Sequence, residues 1–490
     1  MKYVLGVDFG GGACKATLLA ACGTVIATAT AEYPSHTPRS GYVEQDPRDW
    51  LNAAVKNIRE VTSRIDVRDI ACLAFDAATH TAVLLDKDGE PLMPSIYWTD
   101  TRSTAEKAEL EARYGEIIRA ETLHSVDTVW TLPQLEWVRK NRPEVWEKAS
   151  LIVFAKDYVR RFFTQDRVTD TIEAAGSMFF DVARRAWSKT LCGAIGLDES
   201  RLPAVVEPTS VVGAVSEKAA AVSGLAAGTP VICGTTDTAM EVFAAGAVEP
   251  GCMTVKLATA GRICVITEKP VPHRHLINYE HIVPGLWYPG TGTKSCAASY
   301  RWFRDTFGGD YAALDEEAAR LAAGSDGLMF HPYLNGELTP YADPALCADF
   351  IGIRAHHTKA HFARAVMEGA AFSLLDCLKT LDTLIPSRAN SAFILGGGGK
   401  SPLWRQITAD VLGVELVKRR YTDSSFGSAM LAGIAAGFWD SPSAALDACN
   451  GTEGVTKVDE ETHARYGALF ERYKAVHDAL APIYHGESAG

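Results

Sequence analysis

Three features of the sequence predict an α/β protein built from two related halves. They are a three-strand run at the N-terminus, a second strand–turn–strand unit near residue 253, and an alternation of strand-like and long helical segments between and after them. Residues 3–7 form a short apolar run, and residues 16–21 and 25–33 follow across tight turns at 8–12 and 22–24, the pattern of an antiparallel meander. Asp46-Pro47 then opens an amphipathic helix: Asp46 can cap it, Pro47 suits its first turn, and Leu51, Val55 and Ile58 recur at helical spacing. Residues 70–75 and 82–85 are the next strands, and 92–98 lead into the polar segment 99–103. The unit at 253–267, with its small-residue turn at 258–261, echoes the opening strand, turn and strand. The halves meet near 245–251, where Val248-Glu249-Pro250-Gly251 supplies a turn, so the domains are set at 1–247 and 248–490. Residues 486–490 are expected to fray.

Composition narrows the function classes. With 47% hydrophobic and 22% charged residues over 490 positions, the bulk is neither disordered nor fibrous. A formal charge of −12 and the lack of a long Lys/Arg run disfavour nucleic acid as a partner. The longest apolar stretch, 429–439, falls short of the ~18–20 residues a membrane helix needs, so no membrane partner is expected. The five-residue apolar run ending before Asp8 is too short for a secretory core, and the eleven cysteines, odd in number and without a CxxC pair, suit reduced thiols. A cytoplasmic location follows as the expectation.

Several segments could carry chemistry. Asp8-Phe9-Gly10-Gly11-Gly12-Ala13-Cys14-Lys15 combines a carboxylate able to hold a magnesium ion, glycines whose N–H groups can approach phosphate, and a neutralising lysine. A hairpin turn that needs positive φ would explain the glycines equally well. Gly396-Gly397-Gly398-Gly399-Lys400-Ser401 is no Walker A loop, because Ile394 stands where that pattern needs glycine, yet a glycine run between a strand (392–395) and a helix (402–412) can seat a nucleotide or simply pack closely. Asp237 follows the strand 230–233 at the lip of the sheet, where ligands gather, although from pattern alone a helix N-cap is the favoured reading. His80 sits in a turn between strands, and Trp98, Asp100 and Arg102 join an aromatic plane to two charges, as sugar recognition or an exposed ion pair would require. His357 and His361 have i, i+4 spacing on a helix, but Thr358 replaces the glutamate of a zincin and reads better as an N-cap.

The order and spacing of these segments resemble the FGGY carbohydrate kinases, most closely their xylulokinase branch, over nearly the whole chain. The resembling stretches are Gly6-Val7-Asp8-Phe9-Gly10 with Lys15, Glu44-Gln45-Asp46-Pro47 with Trp50, Thr79-His80, Trp98 with Asp100 and Arg102, and Asp157-Tyr158. Gly234 with Asp237, Pro332-Tyr333-Leu334 with Gly336-Glu337 and Thr339-Pro340, and the run from Gly396 to Trp404 complete the set. The resemblance implies two ribonuclease-H-like domains of the actin/heat-shock-ATPase type with an interdomain cleft, the sugar on the N-terminal domain and ATP on the C-terminal one. It implies Asp237 as catalytic base, Asp8 and Asp237 at Mg2+, and Thr79, His80, Trp98, Asp100, Arg102 and Asp237 at the sugar. It further implies Gly10, Gly11, Gly12, Lys15, Thr259 and Gly261 near the phosphates, and Gly397, Gly398, Gly399 and Ser401 near the adenosine. The implied activity is phosphorylation of a primary hydroxyl of a ketopentose, xylulose-like first, with another ketose, a polyol or a non-catalytic nucleotide switch as alternatives, and a homodimer is compatible with it. The chain departs from the family pattern at Gly11, Ala78, Thr81, Thr238 and Leu338.

Overall fold

A computed structural model describes residues 1–487. The chain forms two compact units: Met1–Val248 with Asn278–Trp287 and Tyr421–Gly451, and Glu249–Ile277 with Tyr288–Arg420 and the residues from Thr452 on. The polypeptide therefore changes unit several times rather than once at 247/248. Residues 488–490 of the tail expected to fray lie outside the described residues; Gly486 and Glu487 end the long helix Glu460–Glu487.

The first unit is organised by a seven-stranded sheet of β1 (Tyr3–Phe9), β2 (Ala13–Ala20), β3 (Val25–Glu32), β4 (Ile70–Ala77), β5 (Val211–Ala214), β6 (Pro230–Ile232) and β7 (Thr235–Thr236). Its order is β3-β2-β1-β4-β6-β5, with β7 also pairing β4. The predicted meander is present as antiparallel β1–β2–β3, and β4 runs parallel to β1. The predicted helix is Pro47–Thr62, with the Asp46 carboxylate accepting from Arg48 N at 2.9 Å and Trp50, Ala54 and Ile58 buried. Residues 82–85 do form a strand, but it pairs with Leu151–Phe154 outside the main sheet.

Gly6 explains how a distant segment closes this unit. A Cβ there would lie 2.0 Å from Ser425 O and 2.3 Å from Ala429 N, so only glycine lets the helix Ser424–Ala435 lie on β1. Thr17 and Ser425 hydroxyls meet at 2.8 Å in the same contact.

The second unit carries a six-stranded sheet of β8 (Met253–Leu257), β9 (Gly261–Val265), β10 (Gly290–Thr293), β11 (Ser391–Leu395), β12 (Glu415–Arg419) and β13 (Thr452–Thr456). Its order is β10-β9-β8-β11-β12-β13. Two antiparallel steps, two parallel steps and a final antiparallel step repeat the pairing scheme of the first sheet. The turns 8–12 and 258–260 thus occupy equivalent places, as do the loops leaving β4 and β11.

Candidate functional site

The glycines of the first turn are not there for backbone strain. None of Gly10, Gly11 and Gly12 has a positive φ, which removes the hairpin explanation. Their carbonyls are instead held by the protein: Tyr33 OH donates to Gly10 O, Ser35 Oγ and Gln45 Nε2 to Gly11 O at 3.2 and 2.9 Å, and Tyr33 N to Gly12 O at 3.0 Å. Gly11 and Gly12 are exposed, and a Cβ on Gly12 would meet nothing within 4 Å. With the carbonyls turned in, the turn presents N–H groups, which is what an anion needs.

Asp8 stands opposite Lys15 across the β1–β2 ladder and beside Asp76 across the parallel β1–β4 ladder. Both acids are buried, and burial pushes Asp8 up to about 6, with the Asp76 hydrogen bond and the Lys15 charge pulling it back. Asp76 is pushed further, well above the usual carboxylate range, by burial and then by Asp8, with Asp237 adding to it. Burial thus raises the proton affinity of both acids, and Asp76 Oδ2 accepts from Ser428 Oγ at 2.5 Å. Asp76 was not singled out by sequence reasoning. Its signal was a carboxylate inside the apolar run of a parallel strand, where charge is otherwise avoided.

Asp237 is the first residue of the helix Asp237–Ala245 and is half-buried. It is not the N-cap: Thr236 holds that place, its hydroxyl accepting from Ala239 N. Three donors converge on Asp237 Oδ1, namely Thr238 N at 2.6 Å, Thr238 Oγ1 at 3.2 Å and Thr79 Oγ1 at 3.5 Å. The β4–β7 pairing (Asp76 with Thr235, Ala77 with Thr236) places both loops at one end of the sheet.

His80 follows Thr79 with φ 69°, an uncommon conformation for a residue with a side chain. Its N donates to Glu173 Oε1 at 2.8 Å and its O accepts from Thr131 Oγ1 at 2.7 Å. Its ring stacks on Trp130 at 4.5 Å, and its Nε2 lies 2.7 Å from Tyr279 OH. No sequence signal links Tyr279 to His80, 199 positions away; Glu173 is one helical turn past an N-cap aspartate, Asp170, and could have been read as an anchor.

Trp98 is exposed and packs beside Tyr97, while Asp100 and Arg102 face inward. Arg102 Nε and Nη2 donate to the Asp100 carboxylate at 2.7–2.9 Å, Nη1 pairs with Glu44 at 2.8 Å, and the guanidinium lies 3.9 Å over the Tyr42 ring. Asp100 also accepts from Val43 N at 2.5 Å. With side chains 0% and 1% exposed, Asp100 and Arg102 clamp segment 42–44 to segment 97–102 and present no open face to a sugar.

In the second unit, Thr259 is exposed, but Gly261 is buried, and a Cβ there would lie 2.7 Å from Thr293 Cγ2. Gly396 has φ 83° and touches Leu257 O, while Gly398 and Gly399 pack against Leu257, Trp404 and Ile394. Gly397 is exposed with open space beside it, so the run is both a packing turn and an accessible backbone. The Ser401 hydroxyl is committed as the N-cap of the helix Pro402–Leu412, accepting from Trp404 N at 3.1 Å. Glu337 is buried and accepts from Thr293 Oγ1, Lys294 N, Leu338 N and Ser373 Oγ, a brace for β10.

His357 precedes the helix Lys359–Leu384, and Thr358 is its N-cap. His357 Nδ1 accepts from Arg354 N and His361 Nδ1 from Thr358 N, both at 3.1 Å, which leaves the ring protons on Nε2. That withdraws the half-buried His357 as a ligand from the trio it forms with the exposed Asp326 and His356, the group with metal-like spacing among the described residues.

Two family models match the chain: "FGGY family of carbohydrate kinases, N-terminal domain" over residues 3–244 and the corresponding C-terminal domain over 255–436. A xylulose kinase of Lactococcus lactis subsp. lactis is 30% identical over 492 residues, covering 99% of this chain and 98% of the relative. A gluconokinase of Bacillus subtilis is 27% identical over 475 residues, covering 94% and 92%. The crystal structure of a xyloylose kinase from Brucella ovis matches with a TM-score of 0.91 at 28% identity, covering 98% of this chain and all of the other, 100%.

Proposed function

The chain belongs to the FGGY family of carbohydrate kinases, and on that premise we propose that it transfers a phosphoryl group from ATP to a primary hydroxyl of a neutral, open-chain sugar, a ketopentose of the xylulose kind first and another ketose or polyol second. The observation that carries this reading is Asp237, a carboxylate oriented by Thr238 and Thr79 at the mouth of the first unit's sheet, close enough to Asp76 to raise its proton affinity. Asp237 takes up the proton of the attacking hydroxyl, a role that contributes about 10²–10⁴-fold. Thr79 and His80 orient the sugar beside it. The N–H groups of Gly11 and Gly12, with Lys15, bond phosphate oxygens.

The hard oxygen donors Asp8 and Asp237 fit Mg2+, which would supply charge neutralisation at the transferring group. Lys15 favours the ionised form of Asp8 that such a role needs. Relatives named as gluconokinases make an aldonate the competing substrate.

The test is an ADP-release screen across ketoses, aldonates and polyols with wild type and Asp237→Asn. One neutral sugar should stimulate turnover and the substitution should remove at least about 10²-fold of it. Stimulation by gluconate alone, or turnover unchanged by Asp237→Asn, would sink the reading.

A further inference from the structure

Glu173, Asp170 and Gly176 belong to one short segment, the helix Thr171–Gly176 with its N-cap, and each touches a different part of the proposed sugar site. Asp170 is fully buried. Its Oδ1 accepts from Ile172 N at 2.9 Å, Glu173 N at 3.2 Å and Thr235 Oγ1 at 2.7 Å, and its Oδ2 faces the buried Lys156 ammonium at 2.9 Å. Thr235 is two residues from Asp237. Glu173, 1% exposed, accepts His80 N at 2.8 Å. At Gly176 a Cβ would stand 3.0 Å from Thr79 Cγ2 and 3.6 Å from the His80 ring.

One turn of helix is thus hydrogen-bonded at its start to Thr235, two residues before Asp237, and at its middle to the backbone of His80, while its last residue, a glycine, leaves just the room that the side chains of Thr79 and His80 fill. His80 needs such support: a non-glycine residue at φ 69° persists only where its surroundings hold it. The Lys156 ion pair, itself shared with Asp157 at 2.5 Å, anchors Asp170 against movement.

We propose that the helix Thr171–Gly176 sets the separation between Asp237 and the Thr79-His80 pair, with Asp170, Glu173 and Gly176 as positioning residues for sugar phosphorylation. The proposal rests on the sugar-kinase reading above. It differs from plain structural support in predicting which kinetic constant each contact moves. The Glu173 contact holds a loop that orients the sugar, so its loss acts on sugar KM. The Thr235 contact holds the base, so its loss acts on kcat.

The experiment compares Glu173→Ala, Glu173→Gln and Thr235→Val with wild type, measuring kcat and KM for both substrates and amide exchange in the sugar-free protein. Glu173→Ala should raise sugar KM about tenfold or more without moving ATP KM, and Glu173→Gln, which keeps an acceptor for His80 N, should restore it. Thr235→Val should lower kcat about tenfold. Exchange of the His80 amide should rise in the alanine variant and stay slow in the glutamine one. Should Glu173→Ala fail to fold, Gly176→Ala, which leaves every hydrogen bond in place, should raise sugar KM in the same way. Wild-type constants in both Glu173→Ala and Thr235→Val, equal rises in the two KM values, or unchanged His80 exchange in Glu173→Ala would overturn the proposal. Wild type that phosphorylates no sugar would instead overturn the kinase reading, and the exchange measurement would still decide whether Glu173 holds the loop.

Discussion

Asp8 and Asp76 stand side by side in register on neighbouring parallel strands, and neither is open to water. Two such carboxyls cannot both be charged cheaply, so one keeps its proton. Asp8, raised from its ordinary 3.8 to about 6, carries a folded-state pKa above its unfolded one. The fold therefore favours the protonated form: the contribution is fully present below the unfolded value and is lost as pH rises through about 6. Asp8→Asn, in chelator-treated protein, should raise thermal stability at pH 8, by on the order of 1–3 kcal/mol, and leave it unchanged at pH 4. Melting curves at the two pH values check this; destabilisation at pH 8 would refute the raised proton affinity. At this scale the sequence was informative about identity and less so about role. Asp8, Thr79, His80 and Asp237 were legible as candidates. That Arg102 and Asp100 are locked into each other was not, because a charge pair two residues apart reads alike whether it faces a ligand or its own loop.

The elements that carry the site were the most legible part of the chain. The opening meander, the helix begun by Asp46-Pro47 and the β11–glycine–helix unit at 391–412 fall where local pattern places them, because turn, cap and apolar spacing are short-range properties. Packing partners were not legible. Gly6 reads as part of a glycine-containing strand, yet its requirement is set by Ser425 and Ala429, more than 400 positions on. Gly6→Ala should cost about 3 kcal/mol or more, since backbone rather than a flexible side chain must give way. An unfolding free energy from urea titration within about 0.5 kcal/mol of wild type would show that the helix Ser424–Ala435 can withdraw from β1.

At the scale of the whole molecule, Cys22 and Cys347 are exposed, Cys252 is half-buried and the other eight cysteines are buried. A thiol reagent should therefore modify two groups quickly in the native protein and eleven after denaturation, and the melting temperature should be indifferent to reductant. Cys252 is half-buried, so more than three rapid thiols would contradict the burial of the remaining eight. Described residues contain no helix long and apolar enough to cross a membrane, in keeping with the short apolar stretches. The order of residues determined by itself that the chain is α/β, that its two sheets begin with the same strand–turn–strand device, and which family it belongs to, because these rest on local periodicity and on collinear motifs. Only the tertiary structure decided that segments 278–287 and 421–451 fold with the first unit, that Asp76 lies buried beside Asp8, and that Glu173 and Tyr279 attend His80. Those contacts join positions tens to hundreds of residues apart, and burial, which sets both packing and proton affinity, is a property of the folded surroundings rather than of any one segment.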